Sequence, residues 1–378
     1  MARVVALGDA HLGRSHLAHL RDEEGRNLRE EDFLRSFDWA VDTTLELEPD
    51  GFLWLGDIFD HARPSYRVFT RVLVALRRLE QAGIPGVAIS GNHDTPRLRG
   101  TGSPYAALEE VFPNVTFCWR MEAVTVEVAG VRVHAVPQTL SVEDFRSELE
   151  RSASELRADP PSVLLAHVAL TSLPASKYDI NEIEVPEGAF DRRFDHVLLG
   201  HYHQLQKISR RTWYAGSTDS FWFSDRPNNK VGPKGLIVLD TATGEVDHHP
   251  NPGERPLLTF AIDAGGMGPG ELLDAATRAA AGSLRGAVVR LFLNEVDPAA
   301  LRQVSPDDFL EAVPGAVHVQ VEPEFSSQAL AVQAGPEIGR LEVEWDSYLE
   351  RQDLAGLDRH RVRSTGKELL VGAESETV

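Results

Sequence analysis

The chain has 378 residues, is 42% hydrophobic and 25% charged, and is ordinary for a globular protein; two or three domains are expected, with at least one substantial core. Its net charge of −20 stands against a nucleic-acid partner, whose phosphates are met by Lys and Arg, unless bound divalent metals or a local basic rim reverse the field at a site. The single cysteine, Cys118, excludes an internal disulfide, and the apolar run in MARVVALGDAHLG is too short for a signal peptide or membrane span, so a cytosolic protein is expected.

The first half alternates short apolar strands with amphipathic helices. Arg3 to Leu7 reads as a buried strand, and Phe33, Phe37, Val41 and Leu45 recur at helical spacing. GFLWLGD gives a second strand. Phe69, Val72, Leu73, Leu76 and Leu79 mark a helix that Gly83 and Pro85 end, and GVAIS gives a third strand. From Val115 the pattern changes. AVTVEVAGVRVHAVP alternates and turns at Ala129-Gly130, as an antiparallel hairpin does. A helix over 142–156, the strand SVLLAH, FDHVLLGHYHQ and short strands near Lys207, Trp213 and GLIVLDTATGEVDHH follow. The second half is therefore expected to be mostly antiparallel. The fold class is α/β (α+β): a two-sheet β-sandwich flanked by helices.

NPGERP reads as a linker. Three domains are expected: a main domain over 1–252, a small α/β cap over 253–325 built as β-α-β-α-β, and an acidic tail over 326–378 with two amphipathic stretches.

Five strands end in residues of metal-ligand type. GDAHLG supplies Asp9 and His11, LGDIFD supplies Asp57, GNHD supplies Asn92, His93 and Asp94, LLAH supplies His167, and LLGHYH supplies His201 and His203. Residues i and i+2 on extended backbone point to one side, so His201 and His203 suit a shared task. Oxygen and imidazole donors without a cysteine suit Mn, Fe or Zn rather than a thiolate zinc site. Seven donors exceed the needs of one ion. They fit two ions that share a carboxylate, the arrangement that hydrolyses phosphate esters at a metal separation of about 3.5–4 Å.

GDAH, GDIFD, GNHD, AH and GHYH, in this order over residues 3–250, resemble the calcineurin-like metallophosphoesterase superfamily. LGDIFDHARPS, ISGNHDTP, FDHVLLGHYHQLQ and YAGSTDS, followed by a cap and a helical tail, are similar to the SbcD and meiotic-recombination-eleven type of DNA double-strand-break repair nuclease. The resemblance implies that Asp9, His11, Asp57 and His203 hold one ion, and that Asp57 bridges to a second held by Asn92, His167 and His201. It implies two Mn²⁺, with Mg²⁺, Fe²⁺ or Zn²⁺ as substitutes. It implies that His93 contacts the phosphate or protonates the leaving oxygen, with Asp94 orienting it. Some members carry His where this chain has Asp60; the bacterial branch often has Asp there.

The implied activity is a 3′→5′ exonuclease and single-strand endonuclease, working with an SbcC-type ATPase and as a homodimer through helices such as 65–82. The basic residues beside the motifs, Arg14, His16, Arg63, Arg67, Arg97, Arg99, Lys207, Arg210 and Arg211, would grip the DNA backbone. Trp213, Tyr214, Phe221, Trp222 and Phe223 would either stack on an end base or, more in keeping with strand aromatics, pack in the core. Leu341, Trp345, Tyr348 and Leu349 share helical spacing, which suits docking on the ATPase or packing within the chain. Two other functions compete: a different dinuclear phosphoesterase, such as a protein phosphatase or nucleotide phosphodiesterase, and a non-catalytic scaffold on the same fold.

Overall fold

The structure is a computed structural model that describes residues 2–98, 101–173, 182–226, 229, 234–282, 284–325, 341–350 and 358–375. Contacts divide the chain into two units. One comprises Met1–Thr259, Ser283–Arg290 and Pro314–Val319, and the other Phe260–Gly282, Leu291–Val313 and Gln320–Val378. Three parts of the expected cap, 253–259, 283–290 and 314–319, therefore group with the first unit.

The chain begins with β1 (Arg3–Leu7), α1 (Leu28–Leu47), β2 (Gly51–Leu55), α2 (Tyr66–Gln81), β3 (Gly86–Ile89), α3 (Pro104–Glu109) and β4 (Val115–Cys118). It continues with β5 (Val124–Val128), β6 (Val131–Val136), α4 (Val142–Ser154), β7 (Ser162–His167) and two-residue strands β8 (Ala169–Leu170) and β9 (Glu184–Val185). β10 (His196–Gly200), β11 (Gln206–Lys207), β12 (Thr212–Tyr214), β13 (Gly235–Asp240) and β14 (Val246–Pro250) follow. The first sheet has the order β14-β13-β1-β2-β3-β4 and the second β11-β12-β10-β7-β6-β5.

Strand parity builds the layers. Val5 and Leu7 of β1 join Phe37, Val41, Val72 and Leu76 in a core between the first sheet and helices α1 and α2. Val4 and Ala6 face the other way and meet Val133, Val163, Leu165 and Leu198 of the second sheet. Leu164, Val197 and Leu199 on that sheet's outer face pack on Phe145 and Leu149 of α4. The result is helices, sheet, sheet, helix, as expected.

The strand directions need a correction. In the first sheet β1 to β4 run parallel, with β13 and β14 antiparallel at one edge. In the second, β6, β7, β10 and β12 are also parallel, and only β5 and β11 are antiparallel. The signal was in the runs SVLLAH and HVLLG, buried at every position. Unbroken burial marks strands covered on both faces, the habit of parallel sheets. The hairpin at Ala129-Gly130 forms as expected; both residues take positive φ, 55° and 73°, as a tight two-residue turn requires.

β15 (Leu257–Asp263), β16 (Val288–Val296) and β17 (His318–Phe325) form a three-stranded sheet in that order. α5 (Pro269–Ala279), α6 (Pro298–Leu301) and α7 (Pro306–Ala312) lie between these strands in sequence, the expected β-α-β-α-β alternation with one extra turn of helix. Helices α8 (Leu341–Glu350) and α9 (Arg359–Ser375) pack on each other. Among the described residues no helix is long and apolar enough to cross a membrane.

Candidate metal centre

Five parallel strands from the two sheets end on one side of the sandwich, and the loops just beyond them carry the ligand-type residues. The β1 and β2 loops are laced together: His11 N–H donates to Asp57 O at 2.8 Å, Leu12 N–H to Ile58 O at 2.9 Å, and Asp60 N–H to Leu12 O at 3.0 Å. The sheets meet here too, because His167 Nδ1 lies 2.8 Å from Leu55 O. Asp9, His11, Asp57 and His201 take positive φ values of 46°, 43°, 50° and 98°. Such conformations cost about 1–3 kcal/mol each in non-glycine residues and persist only where surrounding structure imposes them. Gly91 is required by close approach: a Cβ there would lie 2.2 Å from Asp57 Oδ1 and 2.7 Å from His167 Cε1.

Three overlapping groups bring donor atoms within 4.8 Å of one another: Asp9, His11 and His203; His11, Asp57 and His93; and Asp9, Asp57 and His167. Asp9, His11, Asp57 and His167 are at most 1% exposed. Asn92 Oδ1 lies 2.9 Å from His167 Nε2 and 3.3 Å from His201 Nδ1. The seven expected ligands thus share one cluster, buried except for the half-buried His203.

The donor set fits a cation. His11 and His203 bring their Nε2 atoms to 3.1 Å, while their Nδ1 atoms face Asp60 (3.1 Å) and Asp225 (3.3 Å). With each Nδ1–H given to a carboxylate, two lone pairs point at each other, which a positive ion between them relieves. His167 has Nδ1 on Leu55 O, so its Nε2, 2.9 Å from Asn92 Oδ1, is the nitrogen that holds a proton when no metal is bound and would offer its lone pair to a cation in the neutral ring.

The electrostatics agree. Burial alone would lower the pKa of His167, yet Asp57 and Asp9 push it up to about 10. Asp57 is held well below the usual carboxylate range: burial opposes this and is outweighed by His167, with His11 and His93 adding. Asp9 is raised, chiefly by burial. His11, also buried, is pushed down to about 3. Two buried carboxylates therefore call for positive charge, and a proton on His167 supplies it when no metal does.

His93 Nδ1–H donates to Asp60 O, 3.2 Å away, and the same nitrogen is 3.6 Å from Asp60 Oδ1. The expectation that Asp94 orients His93 is corrected. Asp94 is fully buried, and its oxygens accept from Gly91 N–H (2.7 Å), Ile58 N–H (3.0 Å), Phe59 N–H (3.4 Å) and the Tyr105 hydroxyl (2.7 Å). It braces the β2 and β3 loops against each other, and the carboxylates near the His93 ring among the described residues are Asp60 and Asp57.

The basic residues divide. Arg14 adjoins the centre, its Nε 3.3 Å from Asp60 Oδ1 and its guanidinium 5.1 Å from the Phe221 ring. His16 packs on Trp222 at 5.1 Å between ring centroids. Arg63 and Arg97 are exposed on the loops after Asp57 and Asn92. Arg99 lies outside the described residues. Arg67 is paired with Glu31 and Glu30. Lys207 sits 5.0 Å over the Trp213 ring. Arg210 and Arg211 are misplaced by the sequence reading. Val197, near the start of β10, pairs with Thr212, so both arginines lie at the sheet edge opposite His201, roughly 15 Å away. There Arg211 donates to the carbonyls of Asp191, Phe194 and Phe190. Of the aromatic residues, Tyr214, Phe221 and Phe223 are core, and Trp213 and Trp222 are half-buried.

The tail residues need a similar correction. Leu349 is 2% exposed and Trp345 Nε1 donates to Arg363 O of α9 at 3.2 Å, so both serve packing within the helix pair. Tyr348 is half exposed, and the Leu341 side chain lies outside those described.

Sequence reasoning did not assign roles to Asp60, Glu182, Tyr105, Asp225 or Lys234. Asp60 had a local signal, three residues after Asp57 in GDIFD. Glu182 and Asp225 had none, since lone acidic residues are common. Glu182 Oε1 lies 2.8 Å from His201 Nε2. Asp225 is held by Phe221 N–H at 2.8 Å, and buried Lys234 donates to His203 O. Burial opposes ionisation of Asp225, but Lys234 and His203 outweigh it and pull its pKa far down.

A family model described as calcineurin-like phosphoesterase matches residues 2–205. The DNA double-strand break repair protein Mre11 of Methanocaldococcus jannaschii is 24% identical over 245 residues, covering 63% of this chain and 63% of its own. That of Methanococcus maripaludis is 26% identical over 256 residues, with 64% of each chain covered. That of Haloferax volcanii is 31% identical over 270 residues, 70% of this chain and 56% of its own. In each case the match spans less than two thirds of the relative. A solved structure of a cold-active protein tyrosine phosphatase aligns over 66% of this chain and 80% of its own at 15% identity, but its TM-score of 0.32 carries no argument.

Proposed function

The chain belongs to the calcineurin-like phosphoesterase family, and from that premise we propose that it is a Mn²⁺-dependent DNA nuclease acting on broken ends. The observation that carries the substrate is the likeness to Mre11 proteins named for DNA double-strand break repair. Two ions bound at the centre supply Lewis-acid charge against the phosphoryl oxygens and lower the pKa of water. Asp9, His11, Asp57 and His203 are the proposed holders of one; Asp57, Asn92, His167 and His201 of the other.

The chain's own groups do the rest. His93 presents the nitrogen opposite the one facing Asp60 to the leaving oxygen, and Asp60 fixes the ring so that a proton moves along a set direction. Asp94 keeps the β2 and β3 loops at fixed separation. Arg14 and His16, beside the centre, and the exposed Arg63 and Arg97 are the proposed backbone contacts; the three arginines supply the local positive rim that the net charge of −20 makes necessary, while burial pushes the His16 pKa down to about 4 and leaves that ring a neutral contact. Tyr66 and Val74 are 93% and 46% exposed, which supports a homodimer contact on α2. The cap over 253–325 as a DNA-contacting domain and the tail as the seat of an SbcC-type ATPase belong to the same proposal.

The test is incubation of end-labelled linear DNA and single-stranded circles with the protein and Mn²⁺, beside an EDTA control, a His93→Ala variant and a chromogenic phosphodiester. Metal-dependent shortening of DNA, lost in the variant, is expected. Turnover of the small diester with intact DNA would move the substrate to another phosphoester.

A further inference from the structure

HYH places His201 and His203 two residues apart, yet the structure turns them in opposite senses. His201 has Nε2 on Glu182 Oε1 (2.8 Å) and Nδ1 toward Asn92 Oδ1 (3.3 Å). His203 has Nδ1 toward Asp225 Oδ1 (3.3 Å) and Nε2 toward His11 Nε2 (3.1 Å). Each ring therefore offers the centre a different nitrogen, and the choice is made by a carboxylate behind it. We infer that Glu182 and Asp225 are positioning residues that lock His201 and His203 in opposite tautomers, so that adjacent residues on one strand end serve different cations. The inference rests on the reading of the cluster as a two-cation centre.

Imidazole has one N–H when neutral, and the partner of that N–H decides which nitrogen keeps its lone pair. Glu182 selects the Nε2–H form of His201 and leaves Nδ1 for the Asn92 side. Asp225 selects the Nδ1–H form of His203 and leaves Nε2 for the His11 side. Asp225 is held in its role by the backbone around it. Asp225 Oδ2 accepts from Phe221 N–H (2.8 Å) and Trp222 N–H (3.3 Å), and the segment is tied again by Arg29 NH2, which donates to Ser220 O at 2.6 Å. Glu182 comes from the other side, two residues before Glu184–Val185, the strand that pairs with Ala169–Leu170 just after His167. Lys234, 3% exposed, donates to His203 O and fixes the backbone just after the second ring. His11 and His167 have equivalents of their own, Asp60 and the Leu55 carbonyl, so the whole imidazole set has its outer nitrogens assigned.

The experiment has two readouts on the full chain. First, the metal-free protein is examined by long-range ¹H–¹⁵N NMR of its imidazoles, with His201→Ala and His203→Ala for assignment. His201 should be the Nε2–H tautomer and His203 the Nδ1–H tautomer, and Asp225→Asn and Glu182→Gln should each disturb only their own ring. Two identical tautomers, or rings indifferent to both substitutions, would overturn the inference. Second, Mn²⁺ is titrated calorimetrically into wild type, Asp225→Ala, Glu182→Ala and their combinations with the histidine variants. Each carboxylate substitution should weaken one of two binding events by roughly 10–100-fold. Asp225→Ala should add little to His203→Ala, and Glu182→Ala little to His201→Ala, because each pair acts as one unit. Full additivity in both cycles, or both substitutions weakening the same event, would refute it. A wild-type protein that binds no Mn²⁺ while showing the two tautomers would fail the metal reading and leave the positioning intact. The Asn and Gln variants, close to isosteric, guard against loss of folding.

Discussion

A single methyl group at Gly91 tests how tightly the centre is built. In Gly91→Ala the new Cβ would lie 2.2 Å from Asp57 Oδ1 and 2.7 Å from both Asp57 Cγ and His167 Cε1, where ordinary contact begins near 3.4 Å. Backbone on both sides is fixed, because Gly91 N–H donates to Asp94 and Gly91 O accepts from Thr95 N–H at 3.1 Å. The carboxylate and the imidazole must therefore retreat by roughly 1 Å, well beyond the ~0.2 Å within which metal–ligand distances hold. Overpacking of this kind costs about 1–3 kcal/mol of stability. The effect on metal affinity should be larger than the ~10–100-fold of losing an outer partner, because a ligand itself moves. Isothermal titration of Mn²⁺ into EDTA-dialysed protein, with urea unfolding of the metal-free forms, measures both. Gly188→Ala is the control, since nothing lies within 4 Å of its Cβ position. Wild-type Mn²⁺ affinity in Gly91→Ala would refute the packing argument.

Asp94→Ala strands three backbone N–H groups and the Tyr105 hydroxyl, so urea unfolding should show a loss on the order of 3–5 kcal/mol, with a loss below ~1 kcal/mol contradicting the bracing role. Asp219, buried beside Arg29 and Ser36, has its pKa raised to about 6, chiefly by burial. A carboxyl raised in the folded state stabilises most below its unfolded pKa and loses that contribution as pH rises through the folded value. About 3 kcal/mol of stability should therefore disappear between roughly pH 4 and 7, and Asp219→Asn should flatten that slope; an unchanged slope would count against it. Cys118 is 1% exposed and burial pushes its thiol pKa up, so a thiol reagent should leave the native protein unlabelled and modify it fully in guanidinium; rapid native labelling would contradict its place in the core.

Much of this was legible in the chain because periodicity and the ligand residues coincide. The runs ending at Asp9, Asp57 and Asn92 declared both a buried strand and a loop with donor chemistry, and the structure gathers those donors. What the sequence hid was direction and distance. Short strands such as Thr212–Tyr214 look like hairpin arms, and only register shows that β12 runs beside β10 and carries Arg210 and Arg211 to the far edge. Proximity in sequence misled in the same way for Asp94, one residue from His93 but turned into the loop backbone. Asp225 and Glu182 were unreadable because their meaning lies in which ring nitrogen they face, a contact that no spacing encodes. Trp345 was ambiguous because one amphipathic face suits a partner or a neighbouring helix equally, and α9 is what it meets.

The account stands on two cations sharing Asp57. Crystals grown with Mn²⁺ and measured at the manganese absorption edge would show it directly. Two anomalous peaks about 3.5–4 Å apart, one against Asp9, His11 and His203 and the other against Asn92, His167 and His201, with Asp57 between them, are the predicted result. A single peak, or peaks away from Asp57, would contradict it.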